Sequence, residues 1–211
     1  MKRFQNRKTA GRELAEKLVS YKSFPGIVLG IPRGGIPVAH EISHALHWPL
    51  GLVWVKKIGH PFSPEMAIGA VTETEVLLGA DQTLSDPYIQ SAVKGIRDRF
   101  TEMKMIIHDP TDKMDIRNKH IIIVDDGIAT GHTLLAAIRH LRKKDPVKII
   151  VAIPVAPHDA VVKLEDAADD VIVLYQPEYF SGISAFYEEF DQLATEEVAA
   201  FFKNHIHQWL D

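Results

Sequence analysis

His120-Ile-Ile-Ile-Val-Asp-Asp-Gly-Ile-Ala-Thr-Gly-His-Thr133 carries three signals in a row. Ile121 to Val124 are apolar and β-branched, the composition of a short buried strand. Asp125 and Asp126 stand where that strand would end. Gly127, Thr130, Gly131 and Thr133 then form a turn, and Leu134-Leu-Ala-Ala-Ile-Arg-His-Leu141 continues at helical spacing. Such a strand–turn–helix unit aims free amides and hydroxyls at a helix N-terminus, where a phosphate is welcome. The carboxylates beside it need a different partner, sugar hydroxyls or a divalent cation. Together the two demands point to a phosphorylated sugar.

Working outward, Ile27-Val-Leu-Gly-Ile31 reads as another buried strand and runs into a tight loop, Pro32-Arg-Gly-Gly35. Ile36 to Leu46 reads as a helix, and Leu50-Gly-Leu-Val-Trp-Val55 as the next strand, leading into Lys56 and Lys57. This is a βαβ unit, the signature of a parallel sheet. An amphipathic helix is expected over Asn6 to Tyr21 and a long one over Ser85 to Ile107. Strands are expected at Lys148–Ile153 and Val171–Leu174, with a helix near His158–Ala168 between them. Residues 57–66 are rich in Pro and Gly and read as a mobile loop. Ile68–Glu73 and Glu75–Leu78 read as a short antiparallel pair, and Glu196–Trp209 as a last helix. The expected fold is α/β, a doubly wound and mostly parallel sheet with a small C-terminal and flap hood. The whole, 1–211, is read as one domain, its core at about 26–175 and its hood at about 176–211.

Composition narrows the classes of function. The 211 residues are 46% hydrophobic and 25% charged with net charge −4, which gives no broad basic surface for nucleic acid. The absence of cysteine removes disulfides, thiol catalysis and Cys-ligated metals. No run approaches the ~18 apolar residues of a membrane span. A cytoplasmic protein that binds neither membrane nor nucleic acid is expected.

The quoted stretch resembles the PRPP-binding motif of the type I phosphoribosyltransferases: four apolar residues, two acidic ones, then a Thr-Gly-x-Thr turn. Pro32-Arg-Gly-Gly35 is similar to that family's pyrophosphate loop. The resemblance spans about Ile27 to Leu174. It implies that PRPP and Mg²⁺ bind, and that a nitrogenous nucleophile displaces pyrophosphate from C1 of the ribose. The amides of Ala129, Thr130, Gly131, His132 and Thr133, with the Thr130 and Thr133 hydroxyls, would then hold the 5′-phosphate, and Gly127 and Ile128 would also line the substrate site. Asp125 and Asp126 would hold the ribose hydroxyls and, directly or indirectly, Mg²⁺. Arg33 with Gly34 and Gly35 would take the pyrophosphate, with Lys56 and Lys57 as further contacts. The resemblance also implies a cis peptide at Pro32–Arg33 or Arg33–Gly34, a loop closing over the site, a homodimer, and an acceptor selected by the hood. The acceptor itself has no recognisable signature.

The same residues fit other site chemistries less well. A triphosphate P-loop needs Lys where His132 stands and a longer glycine spacing. His40-Glu-Ile-Ser-His44 matches the zinc-peptidase pattern His-Glu-x-x-His, yet no third-ligand motif follows it. A non-catalytic PRPP sensor on the same fold is the remaining alternative, against which stand the intact acid pair and the complete Arg-Gly-Gly loop. Phe186, Tyr187 and Phe190 read as packing, and Glu65 as either a catalytic group or a turn cap.

Overall fold

The buried runs at Ile27 and Ile121 lie side by side, Ile27 opposite Ile121 and Gly30 opposite Val124. In the computed structural model, which describes residues 2–79, 82–83 and 85–203, the chain begins with α1 (Arg7–Leu18), β1 (Gly26–Gly30), α2 (Gly35–Leu46) and β2 (Leu50–Leu52). There follow β3 (Val55–His60), β4 (Ser63–Thr72), β5 (Val76–Leu78) and α3 (Pro87–Ile107). The second half is β6 (His120–Val124), α4 (His132–Arg142), β7 (Lys148–Val155), α5 (His158–Glu165), β8 (Asp170–Tyr175) and α6 (Thr195–Lys203).

The main sheet has the order β2-β1-β6-β7-β8 and is parallel throughout. The chain therefore runs one way from β1 to β2 and the other way from β6 to β8. Its direction reverses between β1 and β6, where an open α/β sheet forms a crevice at its carboxyl edge. The period-two alternation of each strand feeds both faces. Val28, Ile122 and Ile150 pack with Leu14 of α1, Ile42 of α2, Phe100 of α3 and Phe202 of α6. Leu29, Ile121, Ile123 and Val151 pack on the other side with Leu134 and Ile138 of α4 and Leu164 of α5. Two covered faces are why these strands read as unbroken apolar runs.

Two expectations need correction. The run Leu50–Val55 is not one strand. Leu52 N–H donates to Thr111 Oγ1 at 2.7 Å and Val53 N–H to the Gly30 carbonyl at 3.1 Å. The chain then leaves the main sheet, and Val55 starts a separate antiparallel sheet of order β3-β4-β5. Residues 57–66, expected as a loop, make most of β3 and the start of β4, paired from Val55↔Thr72 to His60↔Ser63 with irregular register near Gly59. Pro64 sits beyond the stretch of β4 that pairs with β5. Among the described residues no strand pairs with it there, so a missing N–H costs no ladder bond on that side. The small sheet has its own core of Ile58, Ile68 and Val71 against Ile89 of α3. Glu75 ties it to Lys143 at 2.9 Å just past α4, and Glu73 pairs with Lys104 of α3.

The expected β4–β5 pairing is present, with Val71 opposite Val76, and α3 is capped by Asp86, which accepts from Tyr88 N–H at 2.8 Å. Of the helix expected over Glu196–Trp209, residues up to Lys203 are helical; the rest, with His205 and His207, lies outside the described residues, as does the Glu65 side chain. The hood has a component the sequence reading did not give it. Phe4 N–H donates to the Phe186 carbonyl at 2.8 Å, and Glu188 N–H and Glu189 N–H return to Phe4 and Gln5 at 2.9 Å. The segment before α1 thus pairs with 186–189. Gly95, inside α3, has open space at its Cβ position. Gly95→Ala is expected to stabilise the protein by about 0.5–1 kcal/mol, read as a rise in the urea midpoint with the m-value unchanged.

Candidate active site

The register that sets Gly30 opposite Val124 makes β1 and β6 end at one level, and Ile31 N–H donates to the Val124 carbonyl at 2.8 Å. The two loops that follow therefore leave the sheet side by side. In the first, the Pro32–Arg33 peptide is cis, at one of the two positions expected. Gly35 N–H returns to the Ile31 carbonyl at 3.0 Å, and α2 starts at once. A Cβ on Gly34 would lie 2.0 Å from Asp126 Oδ2, and one on Gly35 2.6 Å from the Val124 carbonyl. The Gly-Gly pair is what lets the first loop touch the second. Arg33 is half-buried at its tip, and among the described residues its guanidinium has no ion-pair partner.

The second loop opens with the acid pair. Asp126 is 8% exposed and Asp125 half-buried. Asp126 N–H donates to Asp125 Oδ1 at 2.9 Å. Arg7 Nε donates to Asp126 Oδ2 at 2.7 Å and Arg7 Nη1 to the Asp191 carbonyl at 2.9 Å. The guanidinium lies 3.8 Å over the Phe190 ring, and Tyr187 Oη donates to the Asp126 carbonyl at 2.6 Å. Burial, then repulsion from Asp126, pushes the Asp125 carboxyl well above the usual range. Burial also raises Asp126, against the pull of Arg7. The guanidinium is paired with Asp126, and the charge that bears on Asp125 comes from Lys56.

Past the acids the turn divides into an anchored part and an open part. Ile128 N–H donates to the Val155 carbonyl at 3.1 Å and its side chain is buried. A Cβ on Gly127 would meet Ile183 at 2.7 Å. Ile128, expected to line the substrate site with Gly127, thus gives its amide to β7, and Gly127 packs against the turn at Ile183–Phe186. The open rim is Ala129, Thr130 and His132, with Thr133 half-buried behind it. Gly131 takes φ +78° as the N-cap of α4, a left-handed conformation that suits glycine. Leu135 N–H makes the first bond back to Gly131, which leaves the amides of His132 to Leu134 at a helix N-terminus. His132 Nδ1 and Thr130 Oγ1 are 2.9 Å apart. Lys56 and Lys57 arrive on β3 rather than on the main sheet. The charge of Lys56 bears on Asp125 and that of Lys57 on His132. Two helix N-termini, of α2 and α4, flank the acid pair, with cations around the rim.

Residues 1–180 match the family model of the phosphoribosyl transferase domain. The chain belongs to this family. Two Mycobacterium tuberculosis proteins that carry the family's name provisionally are 35% identical over 206 residues, 95% of this chain and 46% of theirs. The chain thus spans about half the length of the curated relatives it matches. The crystal structure of TT1426 from Thermus thermophilus superposes with a TM-score of 0.79 at 33% identity, covering 96% of this chain and 99% of that one. The purine phosphoribosyltransferase of Pyrococcus horikoshii shares the fold at a TM-score of 0.51 and 21% identity, covering 89% and 92%.

Within the phosphoribosyl transferase frame, two residues at the acid pair were not singled out by sequence as site residues. Tyr187 read as packing, and its ring is indeed buried, but its hydroxyl reaches Asp126. Arg7 falls, by sequence, only within the helix expected over Asn6 to Tyr21. One local signal was available: Arg7 and Lys8 open α1 with no acid in its first turn, and cations are unfavourable at the positive end of a helix dipole. Such a cation needs a carboxylate from elsewhere. The zinc-peptidase reading fails on contacts. The His40 ring packs edge-on against Phe201 at 5.0 Å, and Glu41 pairs with Arg12 at 2.9 Å. Among the described residues no group of three or more His, Asp or Glu side chains is placed to hold a metal, and no helix is long and apolar enough to cross a membrane.

The raised Asp125 pKa has a consequence for stability. A carboxyl whose folded pKa lies above its unfolded value favours the fold at low pH and loses that contribution as pH rises through the folded value. Asp125→Asn keeps an oxygen for Asp126 N–H and removes the charge. It is expected to raise the melting temperature of the ligand-free protein at pH 7.5 by roughly 2–4 °C, as about 1 kcal/mol does in a domain of this size. Near pH 4 the gain should shrink towards zero. Equal shifts at both pH values, followed by calorimetry, would refute this account of the acid pair.

Proposed function

We propose that the protein transfers the 5-phosphoribosyl group of PRPP to a nitrogenous, base-like acceptor and releases pyrophosphate. The observation that carries this reading is the order of charges along the crevice. Two helix N-termini, each an anion site, stand on either side of two buried carboxylates. A sugar with a phosphate at one end and a pyrophosphate at the other matches that sequence of demands.

In this reading the open amides from Ala129 to Thr133, with the Thr130 and Thr133 hydroxyls, hold the 5′-phosphate. Arg33 and the Gly34 and Gly35 amides hold the pyrophosphate. Lys56 and Lys57, on the edge of the small sheet, add positive charge over both phosphate ends. Asp125 and Asp126 accept from the ribose 2′- and 3′-hydroxyls. The bond from C1 to the pyrophosphate oxygen breaks as the bond from C1 to the acceptor nitrogen forms, and the nitrogen gives up its proton. Positive charge builds on the ribose ring in between, and fixed carboxylates stabilise it without reorganising. The acid pair also suits Mg²⁺, provided the ligand supplies most of its oxygens, since among the described residues the carboxylates there are Asp125 and Asp126. When bound, Mg²⁺ would neutralise the pyrophosphate as it leaves.

Calorimetric titration of PRPP with Mg²⁺ tests the assignment. Asp125→Asn and Asp126→Asn are each expected to raise the dissociation constant at least tenfold, about 1.4 kcal/mol. Wild-type affinity in both variants would remove the acids from the site. Pyrophosphate release is then followed against a panel of bases, amines and small aromatic acids. Release with one of them identifies the acceptor. Tight PRPP binding with no release from any would favour a PRPP sensor instead.

A further inference from the structure

Asp126 is fixed at three points, at one by its neighbour Asp125 and at two by groups far away in sequence. Its N–H is bonded to Asp125 Oδ1, its carbonyl accepts from Tyr187 Oη, and its Oδ2 accepts from Arg7 Nε. Oδ1 takes none of these bonds. The partner on Oδ2 is itself held in place, by the Asp191 carbonyl at 2.9 Å and by the Phe190 ring at 3.8 Å. Phe190 in turn stacks on Tyr187, with centroids 4.9 Å apart.

We propose that Arg7 is a positioning residue of the donor site. By engaging Oδ2 it aims the other oxygen of Asp126 at the ribose, and it makes the cap built from residues 4–7 and 186–191 part of PRPP recognition. This deepens the phosphoribosyl transfer reading and rests on it.

Three features favour this role over a plain structural ion pair. Buried ion pairs add little to stability compared with apolar packing, because both ions lose their hydration. Arg7 also stands in the first turn of α1, where the helix dipole opposes a cation. Finally, the guanidinium is oriented by three separate partners, more than neutralising one carboxylate requires. A planar, multiply bonded cation fixes direction as well as charge, which an ammonium on a flexible stem does not. The arrangement is expensive if only the fold is served, and apt if an oxygen must point one way.

The role predicts a split between two ligands. Only PRPP has the ribose that meets Asp126, whereas inorganic pyrophosphate is held at the Arg33 loop with Lys56 and Lys57. Both are titrated with Mg²⁺ into the full chain by calorimetry, for wild type, Arg7→Met, Arg7→Lys and Phe190→Leu. Arg7→Met is expected to weaken PRPP at least tenfold while pyrophosphate stays within twofold of wild type. Arg7→Lys should recover part of the loss. Phe190→Leu keeps the charge but removes the platform, and should weaken PRPP about threefold with pyrophosphate unchanged; it decides the matter if Arg7→Met does not fold. PRPP affinity within twofold of wild type in Arg7→Met and Phe190→Leu overturns the proposal. So does a parallel loss of both ligands, the mark of a structural residue. A wild-type protein that binds pyrophosphate but not PRPP would instead refute the donor assignment, and this role with it.

Discussion

Two carboxylates share the carboxyl edge of one strand, with the Arg7 guanidinium on Asp126 and the charge of Lys56 bearing on Asp125. Much of the molecule is arranged around that pair. Glycine is needed at Gly34 because a Cβ there would lie 2.0 Å from Asp126 Oδ2, so the first loop can approach only without a side chain. Tyr187 uses its hydroxyl on the Asp126 backbone and leaves the carboxylate oxygens alone.

The positions of the two loops follow from strand register rather than from the loops themselves. Because Gly30 is level with Val124, the chain emerges from β1 and β6 at the same height, and the helices that follow begin on either side of the acids. Shifting β1 by one residue would turn its apolar set to the other face and separate the loops. The small sheet is placed by different means. It rests on α3 through Ile58, Ile68, Val71 and Ile89 and is tethered by Glu73 and Glu75. Lys56 and Lys57 thus reach the crevice from an element that is independent of the main ladder.

What the sequence revealed depended on how local the signal was. Ile27–Leu29 and Ile121–Val124 announce a parallel sheet because both faces are covered. Asp125 to Thr133 announces its chemistry because strand end, turn and helix start are consecutive. The hop from Leu52 to Val55 left no mark, since residues on both sides of it are buried and apolar although they serve different sheets. Ile128 looked like any other turn residue until β7 was seen to take its amide. The histidines of α2 imitated a metal motif because one helix face can be built for packing as readily as for ligation. The contact from Arg7 to Asp126 joins residues 119 positions apart, and no periodicity encodes such a pairing. Only the misfit of a cation with its own helix dipole hinted at it.

The bond from Arg7 to the Asp191 carbonyl spans 184 positions. During synthesis the cap over the acid pair cannot close until residue 191 has emerged. At ~5–20 residues per second that is a delay on the order of 10–40 s after Arg7 is made. Through this interval the parallel strands from β1 to β8 can pair and the core can consolidate, while the acids stay open to water. Burial of Asp126 is then a late event, coming after most of the fold that must bear its cost is in place.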